Sequence, residues 1–288
     1  MKFIDALKCP DPPIASIILN TYNHEKYVGE CLDSILSQQV EFSCELIIYD
    51  DASTDNSVDL IEEIIGDVTN VTKIYSETNL YSKDKIASGK AITEILGALD
   101  SKVFFRIEGD DCWIGSNYRI QKMVDFMLSN LEYSFCYTDT FKHISDELQI
   151  SERSRFLLPD ILKNELSIDD LLLGKFAYIN LGAICFRNVH VEYPPEYYIS
   201  PNKDTWAPYL WSDFGPGHFL ADCGDLFYRY NGEGIWSSLS ESEVTSSRVV
   251  FACQLVSHML RHKNNNGALF NAYRLKPLLN NNPYLKLP

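Results

Sequence analysis

The feature that most constrains this chain is a change of hydrophobic period repeated four times in its first half. IASIILN (Ile14 to Asn20) is a continuous apolar run of strand length, and EKYVGECLDSILSQ then places Val28, Cys31, Leu32, Ile35 and Leu36 on one helical face. The alternation recurs as CELIIYD before SVDLIEEII, VTKIYS before IASGKAITEILGAL, and KVFFRI before NYRIQKMVDFMLSN, with YSFCYTD closing the series. Strands alternating with helices of this length predict an α/β fold with a mainly parallel central sheet covered by helices on both faces. In such a sheet ligands sit beyond the carboxyl ends of the strands. The polar clusters TYNHE, DDASTDNS and EGDDCW follow the first, second and fourth strands, so three loops are expected to meet at one crevice.

Beyond Phe141 the period is lost in ISDELQISERSRFLLPDILKNELS, which reads as a lid or connection. AYINLGAICFRN then reads as a strand, NKDTWAPYLWSDF as an amphipathic helix, and FLADCGDLFYRYN as a strand pair. The end reads as a helix over Glu241 to Arg261, a polar break at HKNNNG and a short final helix. The expected division is residues 1–140 as the alternating half that carries the three polar loops, 141–240 as a second half and 241–288 as a helical extension. The three form one continuous domain.

A net charge of -15 excludes a non-specific nucleic-acid binder, which needs a basic footprint to release phosphate counterions. MKFIDALKCPDPPIAS lacks the apolar centre of a signal peptide, and no apolar run approaches membrane-spanning length. The eight cysteines stand singly without a C-x-x-C pair, as expected of reduced thiols in a cytoplasmic protein.

Two acidic clusters carry the chemistry. DASTDNSVDLIE spaces its oxygens like a calcium-binding EF-hand loop, but Asn56 stands where the sharp-turn glycine belongs, and a strand enters where a helix is required. Capping of the following helix accounts for Ser53, Thr54 and Asp55 and leaves Asp50 and Asp51 unexplained. In EGDDCW, a cap uses one carboxylate, whereas Glu108, Asp110 and Asp111 supply three. Neighbouring carboxylates repel unless a cation, a donor-rich ligand or water offsets them. A hard divalent cation that keeps substrate phosphates in its shell needs only one or two of them.

From about Ile14 to Ser238 the chain resembles inverting family 2 glycosyltransferases of the Rossmann-like glycosyltransferase A fold. The resemblance rests on SIILNTYNHEKYVGECLDSILSQ, CELIIYDDASTDNS and EGDDCW with its following helix RIQKMVDFM. It implies a nucleotide-sugar donor, most simply a UDP-sugar, with Thr21, Tyr22, Asp50, Asp51, Glu108, Asp110 and Arg229 on the donor side. Asp111, with Asp110, would hold Mg²⁺ or Mn²⁺. Asp204 in NKDTWAPYLW would be the catalytic base, and Trp113 and Trp236 would face the acceptor. Glu108 stands where relatives often have aspartate, and Asn231 where many have histidine. Ordinary packing is the alternative for Tyr22, a helix-start aspartate for Asp204 and a structural ion-pair partner for Arg229.

Single displacement implies inversion, giving a β-linkage from an α-linked donor. The family setting implies a glycan or lipid-linked glycan acceptor in bacterial polysaccharide synthesis, such as O-antigen or capsule. Arg261, His262, Lys263, Arg274, Lys276 and Lys286 among leucines and tyrosines give the tail the composition for peripheral contact with the inner membrane face; a solvated helical face is the alternative. Two other function classes compete. A sugar-phosphate nucleotidyltransferase requires a glycine-rich basic loop that SIILNTYNHE lacks, and a non-catalytic nucleotide- or glycan-binding scaffold would bind without turnover.

Overall fold

The computed structural model describes residues 1–143, 154–156, 165–167, 179–230 and 239–280. After helix α1 (Phe3–Ala6), the chain alternates β1 (Ala15–Thr21), α2 (Val28–Leu36), β2 (Cys44–Asp50), α3 (Ser57–Ile65) and β3 (Val71–Tyr75). It continues with α4 (Leu80–Lys83), α5 (Lys85–Gly97), β4 (Val103–Glu108), β5 (Cys112–Ile114) and α6 (Arg119–Ser129). Short strands follow: β6 (Phe135–Tyr137), β7 (Thr140–His143), β8 (Ser154–Phe156), β9 (Glu165–Leu166) and β10 (Ile184–Arg187). Helices α7 (Pro195–Ile199) and α8 (Lys203–Trp211), strands β11 (Gly217–Phe219) and β12 (Asp225–Arg229), and helices α9 (Glu241–Arg261) and α10 (Asn265–Asn280) complete the fold.

The continuous apolar runs become the centre of an eight-stranded sheet of order β3-β2-β1-β4-β10-β6-β11-β9. All seven residues of β1 are buried because its neighbours β2 and β4 flank it and helices cover both faces. Strands β3, β2, β1 and β4 are parallel, whereas β10 enters antiparallel between β4 and β6. The chain leaves β1 toward β2 on one side and returns to β4 on the other, so strand order reverses between β1 and β4. This is the topological switch point where a crevice opens in doubly wound sheets.

A second sheet, β5-β12-β7-β8, is built beside the loop that follows β4. Its register sets Leu226 opposite Trp113 and Phe227 opposite Cys112. The next residues of β12, Tyr228 and Arg229, therefore lie beside Asp110 and Asp111.

The second half departs from the sequence expectations in four places. The strand read from AYINLGAICFRN is confined, among the described residues, to Ile184–Arg187 after a 3₁₀ turn at Leu181–Ala183. Helix α8 is not amphipathic: Trp206 through Trp211 are all buried, because α9 covers its outer side and sets Phe251 and His258 edge-on to Trp206. Strands β11 and β12 do not pair but join different sheets. The polar break shrinks to His262, Lys263 and Asn264, with HKNNNG's last three residues already inside α10. Most of the segment read as a lid lies outside the described residues.

Candidate active site

The loops after β1 and β2 are stitched together by polar side chains. Asp50 accepts from the backbone and hydroxyl of Ser53, whose Oγ accepts from the backbone N–H of Asn23 at 2.8 Å. Asn23 Oδ1 accepts from Thr54 N at 2.8 Å, Asp55 accepts from Glu25 N at 3.0 Å, and Ser57 Oγ accepts from His24 N at 2.7 Å. The DDASTDNS cluster is thus largely spent on fixing one loop against another. Asp50, expected on the donor side, is 1% exposed and is committed to shaping the loop.

Asp51 accepts from Leu80 N and Tyr81 N at 2.8 Å each and from the Tyr49 hydroxyl at 3.1 Å. It ties the start of α4 to the end of β2, leaving one lone-pair direction on its Oδ2. Its two backbone contacts fix Tyr81, whose hydroxyl is pushed up by burial and by the charges of Asp204 and Glu108. Tyr81 was not legible as a site residue. Its segment carries no short motif, and only the bond to Asp51 brings it into the crevice. Thr21 is buried with an unpartnered Oγ1, whereas Tyr22 is 41% exposed at the mouth.

The acidic loop folds tightly against β1. Gly109 N donates to Asn20 O at 2.8 Å, and a Cβ at residue 109 would stand 2.8 Å from His24 Nδ1 and 3.1 Å from Thr21 Oγ1. A side chain there has no room. Around this glycine three buried polar atoms, Asn20 Oδ1, Thr21 Oγ1 and His24 Nδ1, lack hydrogen-bond partners among the described residues. Asp110 stays half-open with its Oδ1 at 3.9 Å from His24 Nε2.

Asp111 is buried, and desolvation together with the adjacent Asp110 raises its carboxyl well above the ordinary range, against a bond from Arg229 N at 3.2 Å. Solvent reaches Glu108, yet the crevice walls remove enough water to push its carboxyl up to about 7. Arg106 opposes that shift, and Asp204 and Asp110 reinforce it.

This electrostatic frustration is what a cation would relieve. Among the described residues no three histidine, cysteine or acidic side chains converge as a complete metal shell. The donor set fits an ion that takes one or two carboxylates from the protein and completes its shell with phosphate oxygens and water. Asp110 and Asp111 are the two neighbouring carboxylates that could hold it.

Arg229 closes the loop from β12. Its guanidinium pairs with Glu30, donates to Asp110 O at 2.8 Å and lies over the rings of Tyr27 and Phe227. These are the contacts of the structural ion-pair partner that the sequence left as the alternative. Asp204, in the first turn of α8, acts electrostatically on Glu108, Tyr81, Tyr197 and Tyr228, so the fold brings it to the acidic loop from 93 residues beyond Asp111 (204 minus 111).

Trp113 does not face an acceptor. It is 5% exposed in the core, edge-on to Phe105, with its indole N–H donating to Gly182 O at 2.8 Å. Pairing of β5 with β12 turns it inward. Trp236 and Asn231 lie outside the described residues. Of the basic tail, Arg261 is tied to Glu196 at 2.6 Å. Among the described residues no helix is long and apolar enough to cross a membrane.

Comparison with known proteins gives concordant matches. A family model described as Glycosyl transferase family 2 matches residues 16–193. An uncharacterised glycosyltransferase of Haemophilus influenzae is 31% identical over 230 residues, 77% of this chain and 66% of its own. An uncharacterised protein of Mycobacterium bovis is 30% identical over 227 residues, covering 77% and 60%. The chain thus spans about three fifths to two thirds of the length of these curated relatives. Among solved structures, residues 1–349 of TarS from S. aureus in complex with UDP-GlcNAc superpose with a TM-score of 0.58 at 15% identity, over 84% of this chain and 66% of that one. The mannosyltransferase PcManGT of Pyrobaculum calidifontis, in complex with GDP-Man and Mn²⁺, gives 0.57 at 14% identity, over 98% and 77%.

Proposed function

The chain belongs to glycosyl transferase family 2, and we propose that it moves a sugar with inversion from a nucleotide-diphosphate donor, a UDP-sugar in our reading, to a hydroxyl of a glycan or lipid-linked glycan. The observation that carries this is the convergence of Glu108, Asp110, Asp111 and Asp204 at the reversal point of the sheet. In relatives of this fold the crystallised ligands are nucleotide-sugars, UDP-GlcNAc in TarS and GDP-Man with Mn²⁺ in PcManGT. The finer setting we propose is bacterial surface-polysaccharide synthesis, with peripheral contact at the cytoplasmic face of the membrane.

In this mechanism Thr21, Tyr22 and Oδ2 of Asp51 receive the nucleobase. Asp110 and Asp111 would hold Mg²⁺ or Mn²⁺. When bound, such an ion would supply Lewis-acid neutralisation of charge on a leaving diphosphate. Arg229 keeps the acidic loop in place through Asp110 O and Glu30. Asp204 takes the proton of the acceptor hydroxyl as that oxygen bonds to the anomeric carbon from the face opposite the diphosphate. The anomeric C–O bond breaks, and the nucleoside diphosphate leaves with its electron pair.

Replacement Asp204→Asn tests the assignment. General-base assistance is worth about 10²- to 10⁴-fold, so kcat is expected to fall in that range while donor Kd stays unchanged and the wild-type product is inverted. A retained configuration, or undiminished turnover in Asp204→Asn, overturns the assignment.

A further inference from the structure

Two other inward-facing arginines are held by protein oxygens. Arg119 donates to Thr138 Oγ1 and Gly224 O at 2.9 Å, and Arg187 donates to Tyr133 O at 2.9 Å, Met127 O at 2.7 Å and Asn130 O at 3.0 Å. Arg106 is different. It is 9% exposed, and among the described residues its Nε has no partner, as at Arg119, but unlike Arg119 it also enters no hydrogen bond, ion pair or ring contact. A guanidinium cannot shed its proton at any physiological pH, so burial without a partner is unfavourable until an anion arrives.

Its position says where that anion comes from. Strand alternation puts Arg106 on the same face of β4 as Phe104 and Glu108. On that face Phe104 packs on Phe186 and Trp211, and Tyr193 lies 6.4 Å from Trp211. The charge of Arg106 is felt at Glu108, Tyr193 and Tyr197, and Tyr197 also feels Asp204. Arg106 therefore sits two residues before Glu108 on the same face of β4, within electrostatic reach of Tyr193 and Tyr197. The acidic loop, where a diphosphate belongs, starts from the end of the strand above it.

We propose that Arg106 binds a carboxylate carried by the saccharide substrate, so that acidic sugars of the hexuronate class are what this site accepts. The inference rests on the glycosyltransferase reading above. A planar guanidinium matches a carboxylate with two parallel hydrogen bonds, which a neutral hydroxymethyl group cannot return. The carboxylate belongs either to the transferred sugar or to the acceptor residue beside Asp204, and both place it between Glu108 and α8.

Calorimetric titration with Mn²⁺ tests this, comparing UDP-glucuronate with UDP-glucose and GDP-mannuronate with GDP-mannose on wild type, Arg106→Gln and Arg106→Lys. For a donor carboxylate, the wild type is expected to bind the acidic member of a pair about tenfold or more tightly. The preference should vanish in Arg106→Gln and weaken in Arg106→Lys, while Kd for the bare nucleotide is unchanged. For an acceptor carboxylate, the same preference appears in KM for hexuronate-ended over hexose-ended oligosaccharides and disappears in Arg106→Gln. No acidic preference in either arm, or one that persists in Arg106→Gln, overturns the proposal. Because Arg106 is unpaired without ligand, Arg106→Gln is expected to melt no lower than wild type. A clear fall in Tm would identify a structural arginine and also overturn it. Failure of bare UDP and GDP to bind would instead overturn the parent reading, and this inference with it.

Discussion

Gly109→Ala should damage the site out of proportion to one methyl group. The added Cβ would stand 2.8 Å from His24 Nδ1, a distance that forces something to shift, and 3.1 Å from Thr21 Oγ1. His24's backbone is held by Ser57 Oγ, so the ring can yield only by rotating away from Asp110, and Thr21 Oγ1 stays close on the other side. The loop must move as well, by several tenths of an ångström, and it carries Asp110 and Asp111. Overpacking of this kind costs about 1–3 kcal/mol, and at about 2–4 °C per kcal/mol for a chain this long the melting temperature should drop by roughly 2–12 °C. Misplacing catalytic groups by such distances costs up to about 10²-fold in rate. Differential scanning fluorimetry and a donor-turnover assay read both effects. Adding His24→Ser to Gly109→Ala removes the shorter contact and should recover part of the loss, since the two changes are in contact and not additive. Activity of Gly109→Ala within about threefold of wild type, or a double variant no better than the single, would refute the reasoning.

Two further outcomes follow from the local chemistry. Glu108 holds its proton up to about 7 in the folded protein, above the ordinary glutamate value near 4.3. Its stabilising contribution is full below about pH 4 and is lost as pH rises through about 7. Metal-free wild type should therefore melt lower at pH 8 than at pH 5. Glu108→Gln should shrink that slope without abolishing it, because Asp111 is raised in the same direction. Solvent screening at Glu108 keeps its share under about 1 kcal/mol, and an unchanged slope in the variant would contradict the shift. Trp113→Phe should cost about 1–2 kcal/mol through the lost bond to Gly182 O and leave acceptor KM alone. A raised KM with unchanged stability would return Trp113 to the acceptor side.

The first half of the fold was legible because its signals are local. CELIIYD and SVDLIEEII coincide with β2 and α3, and apolar runs of that length leave a strand buried on both faces no other arrangement. What failed depended on distant partners. FLADCGDLFYRYN holds all of β12 but only the last residue of β11, Phe219, and nothing in it says that β11 pairs with β6 and β12 with β5. Trp113 looked available because it follows an acidic loop, and only the pairing of β5 with β12 buries it. Capping of α3 left Asp50 and Asp51 unexplained in the sequence, and the structure spends both on other bonds. Their partners, Ser53 for one and the start of α4 for the other, make them organisers of the loops. Tyr81 and Arg106 escaped altogether, since one sits in a segment without a motif and the other is a single charge inside VFFRI.

The central claim is that the acidic loop binds a nucleotide diphosphate through a divalent cation. Calorimetric titration of UDP and of GDP into the protein with Mn²⁺ and with EDTA, repeated on Asp111→Asn, tests it directly. Binding of at least one nucleotide that requires Mn²⁺ and weakens about tenfold or more in Asp111→Asn is the expected result. Nucleotide binding that is equal with EDTA and equal in the variant, or no binding of either nucleotide with Mn²⁺ present, would contradict it.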